Sequence, residues 1–210
     1  MSMLSVDVLI GFIVASTLIS YAPGPDNIFV LIQSILHGRK AGIIVTLGLC
    51  TGLLFHTVAV TLGVAAIFQA SAVAFTLLKI VGVVYLLYLA FMSFRAAAAN
   101  VSMSEQPQLS AMQLYRRGIL MSSTNPKLAI FFMAFLPQFA DPAVGSLSLQ
   151  LFTLSMVFIV VAFFVMSSVA LLSGSLRGWI QDSELGQSII NKVAGTVFVG
   201  LALKLVTTER

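Results

Sequence analysis

Ala22-Pro23-Gly24-Pro25-Asp26-Asn27 interrupts a long apolar stretch near the start of the chain. Each proline removes a backbone donor and clashes with the preceding turn, so a helix must unwind here. Gly24, between the prolines, tolerates dihedral angles that other residues avoid. A second helix can restart with Pro25 in its first position and Asp26 in its first turn, where the helix dipole stabilises a carboxylate. A structural kink is the alternative, but a kink requires neither two prolines nor a charge.

A second break, Asn125-Pro126-Lys127, lies about a hundred residues later in another apolar stretch. Asn is a preferred N-cap and Pro a preferred first helical residue, so we predict the same helix restart. Lys127 then falls in the first turn, where the dipole disfavours a cation. A lysine at mid-membrane depth also costs about 2.5 to 3.5 kcal/mol. We therefore expect a partner, either Asp26, a substrate carboxylate or the two alternately. A lysine that snorkels to the membrane surface is the alternative.

The composition is that of an integral membrane protein. Hydrophobic residues make up 59% of the chain and charged residues 9%, with a mean hydropathy of +1.06. Soluble domains carry about 25% charged residues, so this chain is not expected to stay in water. The net charge of +4 comes from basic residues spread over connecting loops, as membrane topology demands, and does not indicate nucleic-acid binding.

Six apolar segments, each long enough for a membrane-spanning helix, follow one another along the chain. They run at about 6–36, 42–68, 72–94, 118–139, 147–172 and 189–206. We predict an all-α polytopic membrane bundle in which residues 1–210 form a single membrane domain. Its two inverted three-helix repeats, at about 1–100 and 116–210, each begin with a broken helix and are joined by a linker at about 96–115. Five spans with one re-entrant segment is the alternative.

Basic residues concentrate in alternate connectors, which sets the predicted orientation. The odd-numbered connectors contain Arg39, Lys40, Arg95, Arg116, Arg117 and Arg177. We therefore predict that these connectors are cytoplasmic and that both termini lie on the outer side. Residues 1–6 contain no Lys or Arg, so we expect a retained first span rather than a signal peptide.

Gly48, Gly52 and His56 recur every four residues in the second segment and so share one helix stripe. The two glycines form the small-xxx-small pattern that allows close helix packing, within a protomer or between the protomers of a homo-oligomer. His56, beside that seam, is either a proton acceptor or a structural histidine with satisfied hydrogen bonds. Lys79, in the third segment, is either a snorkelling lysine or a further site lysine.

The residue types do not favour disulfide, redox, metal-binding or enzymatic functions. The single cysteine, Cys50, excludes an intramolecular disulfide, a redox pair and a thiolate metal cluster. His37 and His56 fit no metal spacing, so we expect neither a metal nor a cofactor. There is no phosphate-binding Gly-Lys-Ser or Gly-Lys-Thr sequence, and no nucleophile is paired with a base, so we expect no enzyme.

At these residues the chain resembles the lysine-exporter (LysE) family and, within it, the homoserine/threonine-efflux (RhtB) branch. The matching pieces, in order, are 22–27, Gly38-Arg39-Lys40-Ala41-Gly42, Gly48, Gly52, His56, Leu78-Lys79, Gly82, Tyr85-Leu86, Asn125-Pro126-Lys127 and Phe135-Leu136-Pro137-Gln138-Phe139. The resemblance covers nearly the whole chain. It implies a multi-pass exporter of amino acids or their derivatives in the cell inner membrane, usually coupled to the proton gradient.

We expect a secondary exporter whose substrate binds between the two broken helices. Asp26 would face the α-amino group or carry the coupling proton. Lys127, with freed N–H groups near Asn27 and Asn125, would face the α-carboxylate. One buried acid and one buried base suit a neutral zwitterionic amino acid such as threonine or homoserine. Export of basic amino acids, export of another small solute or cation, and a scaffold without transport activity stay open as alternatives.

Overall fold

A computed structural model describes residues 4–64, 72–95, 109–181 and 184–207, and these parts of the chain are helical without strands. Eight α-helices follow in chain order: α1 Val6–Tyr21, α2 Pro25–His37, α3 Arg39–Val58, α4 Ala72–Arg95, α5 Ala111–Ser123, α6 Pro126–Ile130, α7 Leu147–Gln181 and α8 Glu184–Thr207. A π-helical segment, Ala59–Val64, continues α3. A π-helical segment, Phe131–Phe135, and a 3₁₀ turn, Leu136–Phe139, continue α6.

Both predicted helix breaks are present. The chain bends by 62° between α1 and α2 and by 48° between α5 and the segment that begins at Pro126. By length and composition, three single helices in the described ranges can cross a membrane: Arg39–Gly63, Thr76–Arg95 and Leu147–Ser173. The two bent pairs bring the number of candidate spans to five, and α8 covers the sixth predicted apolar segment. The prediction of an all-α membrane bundle with a broken first and fourth segment is confirmed.

Helix α5 begins at Ala111 rather than at the predicted Gly118. The reason is a capping box: Gln113 N donates to Ser110 Oγ at 3.3 Å, and Ser110 N donates to Gln113 Oε1 at 2.8 Å. These reciprocal bonds satisfy the exposed amides of the first turn. The first turns of α5 are polar, so a prediction based on apolar segments assigns them to the linker. The described end of the predicted linker is therefore helical.

The turn between α2 and α3 is a single residue, Gly38, with a φ of +85°. A side chain in this left-handed region would be strained, so glycine suits the position. The turn brings the start of α3 directly against α2, and the two helices pack on each other.

Helix α3 crosses α5 at very close range. A Cβ on Gly48 would overlap the carbonyl oxygen of Tyr115, and a Cβ on Gly118 would lie 3.0 Å from Gly48 Cα. A Cβ on Gly52 would lie 2.6 Å from the carbonyl oxygen of Ile119. The structure thus places the predicted glycine stripe at a backbone-to-backbone crossing, with Gly118 as its counterpart on α5.

The remaining packing builds one bundle around the two breaks. Helix α3 also packs on α7, α1 and α2 pack on α7, and α4 pairs with α8. Beside the breaks lies an aromatic cluster made of Phe12, Phe131, Phe132, Phe135, Phe139 and Phe158. Its rings pack closely, with centroids 4.9 Å apart for Phe131 and Phe158. Helix α4 exposes much of its apolar surface, as expected for a helix that faces lipid.

Candidate functional site

Asp26 lies at the start of α2 and is only 4% exposed. Pro25 occupies the first turn of the helix, so Asp26 sits where backbone N–H groups and the helix dipole favour an anion. Its Oδ2 accepts a hydrogen bond of 2.7 Å from Asn125 Nδ2, across the two breaks. Its Oδ1 has no hydrogen-bond partner among the described residues. One carboxylate oxygen is thus held in place while the other has nothing bound to it.

Asn125 joins the two breaks through both ends of its amide. It is the N-cap of α6, and its Oδ1 accepts a hydrogen bond of 2.9 Å from Lys127 N. Its Nδ2 donates to Asp26. The residue is 3% exposed, so these bonds form away from bulk water. The N-cap predicted at Asn125 therefore also positions the carboxylate of the other half.

Lys127 forms hydrogen bonds with main-chain carbonyls next to the first break. Its Nζ donates to the carbonyl oxygens of Ala22 at 3.0 Å and Ile19 at 3.4 Å, and the residue is 6% exposed. In an unbroken helix the N–H of residue 23 would donate to the Ile19 carbonyl. Residue 23 is a proline and has no N–H, so this carbonyl lacks its usual partner. The ammonium thus caps the carbonyl end of α1, where the helix dipole favours a cation. In this structure it makes no hydrogen bond to Asp26.

Gly24 serves the site by its small size. Its φ of −169° and ψ of 173° are extended values that any residue adopts, so the structure does not use the conformational freedom of glycine at this position. A Cβ at this position would lie 3.1 Å from Lys127 Nζ. A side chain at this position would therefore crowd the ammonium of Lys127.

A small cavity of about 30 Å³ lies between the breaks, with room for water but not for a typical ligand. Its lining residues come from α1, α2, α3, α7 and both sides of the second break: Ile19, Ser20, Asp26, Asn27, Leu49, Cys50, Leu53, Ser122, Lys127, Leu128, Phe158, Ala162 and Met166. Four of these carry a buried oxygen without a hydrogen-bond partner in the described structure: Ser20 Oγ, Asp26 Oδ1, Asn27 Oδ1 and Ser122 Oγ. The cavity thus combines an acid, a base and several unsatisfied acceptors or hydroxyls.

His56 lies just behind this cavity. Its Nε2 is 2.9 Å from the carbonyl oxygen of Ser122, and its ring centroid is 5.6 Å from that of Phe132. The imidazole is 6% exposed and links α3 to the end of α5. Its observed contacts are those of a histidine that supports the second break from outside the cavity wall.

Lys79 does not join the other site residues. Its Nζ donates to the carbonyl oxygen of Val206 at 3.1 Å, near the end of α8, and it is not among the residues that line the cavity. The structure therefore brings together Asp26, Asn27 and Lys127, with Asn125 bonded to two of them, and leaves Lys79 in another part of the bundle.

Several cavity residues were not predicted from the sequence. Ser20 and Ser122 lie within the last turn before a break, and a search for polar residues there would have found both. The unpaired carbonyl of Ile19 is also predictable from the sequence, because Pro23 lacks the N–H that would normally donate to it. Cys50 and Phe158 carry no such signal, since each lies inside a continuous apolar run and reaches the cavity only through tertiary packing.

Comparison with known proteins gives a consistent result. The family model described as LysE type translocator matches residues 17–209. The chain is 34% identical to the homoserine/homoserine lactone efflux protein of Salmonella typhimurium over 188 residues, which is 90% of each chain. It is 28% identical to an uncharacterized membrane protein of Vibrio cholerae over 98% of this chain and 100% of the relative. No solved structure matches the chain.

Proposed function

The chain is a membrane protein that belongs to the family of LysE type translocators, and on that premise we propose that it exports amino acids or their derivatives. The transport is secondary and active, and the membrane is the cell inner membrane. The observation that carries the proposal is the pair of buried opposite charges, Asp26 and Lys127, on the wall of one cavity. Buried ionisable residues in a membrane protein mark substrate or ion sites.

The two charges of a zwitterionic amino acid complement the charges of Asp26 and Lys127. Its α-ammonium group pairs with Asp26 Oδ1, the carboxylate oxygen that lacks a partner. Its carboxylate accepts from Lys127, whose ammonium has three N–H groups and uses two on main-chain carbonyls. Asp26 is the one acid among the described residues that line the cavity, so a second ammonium would lack a partner there. This favours neutral over basic amino acids.

The name of the Salmonella relative supports the assignment of Asp26. Homoserine and homoserine lactone both carry an α-amino group, but the lactone has a ring carbonyl where homoserine has a carboxylate. If this chain handles the same pair, Asp26 binds the feature that the two compounds share. Lys127 then donates to either a carboxylate or a lactone carbonyl, because both are hydrogen-bond acceptors.

Proton coupling follows from the use of one carboxylate for two cations. Asp26 binds either a proton or a substrate ammonium, and each excludes the other. Release of the ammonium on the outer side frees the carboxylate to take up a proton, which then leaves on the inner side. Exchange of the two at Asp26 makes the protein an amino-acid/proton antiporter.

The test is uptake of labelled amino acids by the purified chain reconstituted into proteoliposomes with the cytoplasmic face outward. We expect neutral amino acids to accumulate when the lumen is acidic, and accumulation to stop when an uncoupler removes the pH difference. Absence of uptake across the whole panel would contradict export and favour a scaffold. Accumulation against a gradient that is indifferent to pH would contradict the proton as the coupling ion.

A further inference from the structure

Gln33 is a buried polar residue of α2 that the cavity at Asp26 does not account for. It lies on the buried face of α2, together with Asp26, Val30 and Ser34. It is 1% exposed, and neither its Nε2 nor its Oε1 has a hydrogen-bond partner among the described residues. A buried amide without partners is unfavourable, so a residue of this kind calls for an explanation other than stability.

Gln150 shows how a structural glutamine behaves in the same protein. It is also 1% exposed, but its Oε1 accepts from Asp141 N at 2.9 Å and its Nε2 donates to Asp141 O at 2.7 Å. These bonds fasten the loop before α7. Gln33 makes no such side-chain hydrogen bonds in the described structure, although it is buried to the same degree.

Other unpartnered polar groups lie along the same part of α2. His37 Nε2, one turn beyond Gln33, is buried and has no partner in the described structure. Ser167 Oγ is also buried and unpartnered, on the helix α7 that packs against α2. Ser167 lies one turn before Ala170, which meets Gly42 at the contact between α2 and α3. Gln33, His37 and Ser167 are not among the residues that line the small cavity at Asp26.

The position of Gln33 places it between the site and the predicted cytoplasmic end of α2. It lies seven positions after Asp26, which is about 10 Å along a helix. Beyond it, α2 ends at His37, next to the basic connector that contains Arg39 and Lys40. A substrate that approaches Asp26 from the cytoplasm along α2 passes Gln33 first.

We propose that Gln33 contacts the substrate on the cytoplasmic access path, where its unpartnered amide hydrogen-bonds the amino acid before it reaches Asp26. An amide offers both donors and an acceptor, so it serves the carboxylate and the ammonium of a zwitterion alike. It carries no charge, so it can release the substrate to the charged site. The inference rests on the proposed export function.

The first experiment compares Gln33→Leu with the matched control Gln150→Leu. Leucine has a similar size and no polar atoms, so Gln33→Leu should leave the melting temperature unchanged or raise it. Gln150→Leu should lower the melting temperature by several degrees, because it leaves the Asp141 backbone groups unpaired. We expect Gln33→Leu to slow uptake into inverted vesicles at least tenfold and Gln33→Asn, which keeps the amide, to recover part of the rate. Wild-type uptake by Gln33→Leu would overturn the proposal.

The second experiment does not require transport. In a Cys50→Ala background, Gln33→Cys should react with a membrane-impermeant thiol reagent added to the cytoplasmic face, and Val45→Cys, which is fully buried in α3, should not. Protection of Gln33→Cys from the cytoplasmic face would overturn the access path whether or not the protein transports. If Gln33→Cys is labelled but the wild-type protein moves no amino acid, the path stands and the export function fails.

Discussion

Asp26 presents one oxygen to Asn125 and leaves the other without a partner in the cavity. Asp26→Asn keeps the shape and the acceptor for Asn125, and it removes the charge that would bind an ammonium or a proton. We therefore expect the amount of folded protein to stay unchanged and efflux to fall to background. Efflux assays and size-exclusion profiles of the same preparations check both points. Persistent transport would mean that Asp26 is structural and that the proposed coupling is wrong.

His56 makes its observed hydrogen bond to the main-chain carbonyl of Ser122 rather than to either charged group of the cavity. Glutamine has an N–H donor that can reach the Ser122 carbonyl, but it does not titrate near neutral pH. We expect His56→Gln to retain efflux and its dependence on the pH difference. Efflux at several pH differences measures this. If the variant transports but loses the pH dependence, His56 is a proton relay instead.

The charged residues of the site are predictable from type and position, but their contacts are not. Asp26 and Lys127 stand out because charge is rare inside apolar segments and unfavourable in lipid. The partner of Lys127 depends on how the two halves dock, and the docking places its ammonium on the carbonyls of Ile19 and Ala22. Gln33 is visible in the sequence as a polar residue, but only the structure shows that its amide is unpaired.

The crossing of α3 and α5 brings the main chains of the two helices into direct contact. Gly48→Ala places a methyl group on the Tyr115 carbonyl, so the helices must separate. We expect a loss of about 1 to 3 kcal/mol in stability, seen as a melting temperature lower by several degrees. Gly200→Ala is the control, because a Cβ there meets nothing within 4 Å. Equal melting temperatures for the two variants would contradict the observed crossing.

The two helix breaks are predictable from the sequence, because proline and glycine change the conformation of the backbone next to them. The restarts at Pro25 and Pro126 follow from residue preference alone. The π-helical segment Phe131–Phe135 was not predictable, since its sequence suits an α-helix equally well and the irregular turn depends on packing. The apolar pattern does not predict the start of α5 at Ala111, because the capping box is polar and lies outside the apolar run.

Across the whole molecule, each half packs its second long helix on the first helix of the other half. Helix α3 packs on α5, α7 packs on α1, and α4 pairs with α8. This reciprocal packing supports our proposal that residues 1–100 and 116–210 are inverted repeats, with the two breaks meeting at their interface. The arrangement explains why an Asn from one break holds the Asp of the other.

The size of the cavity implies motion during transport. At about 30 Å³ it has room for a water molecule but not for an amino acid, so the surrounding helices must move apart to admit a substrate. Phe158 of the aromatic cluster and Asp26 of α2 both line the cavity. We propose that the helices around the cavity open alternately to the two sides of the membrane, as expected for transporters built from inverted repeats around a fixed site.

Binding of labelled homoserine to the purified protein tests most directly whether the two breaks enclose a zwitterion. We predict saturable binding to the wild type, competition by homoserine lactone, and no competition by the hydroxy acid in which a hydroxyl replaces the amino group. Asp26→Asn and Lys127→Met should each weaken binding at least tenfold, which is about 1.4 kcal/mol or more. Wild-type affinity in both variants would contradict the account.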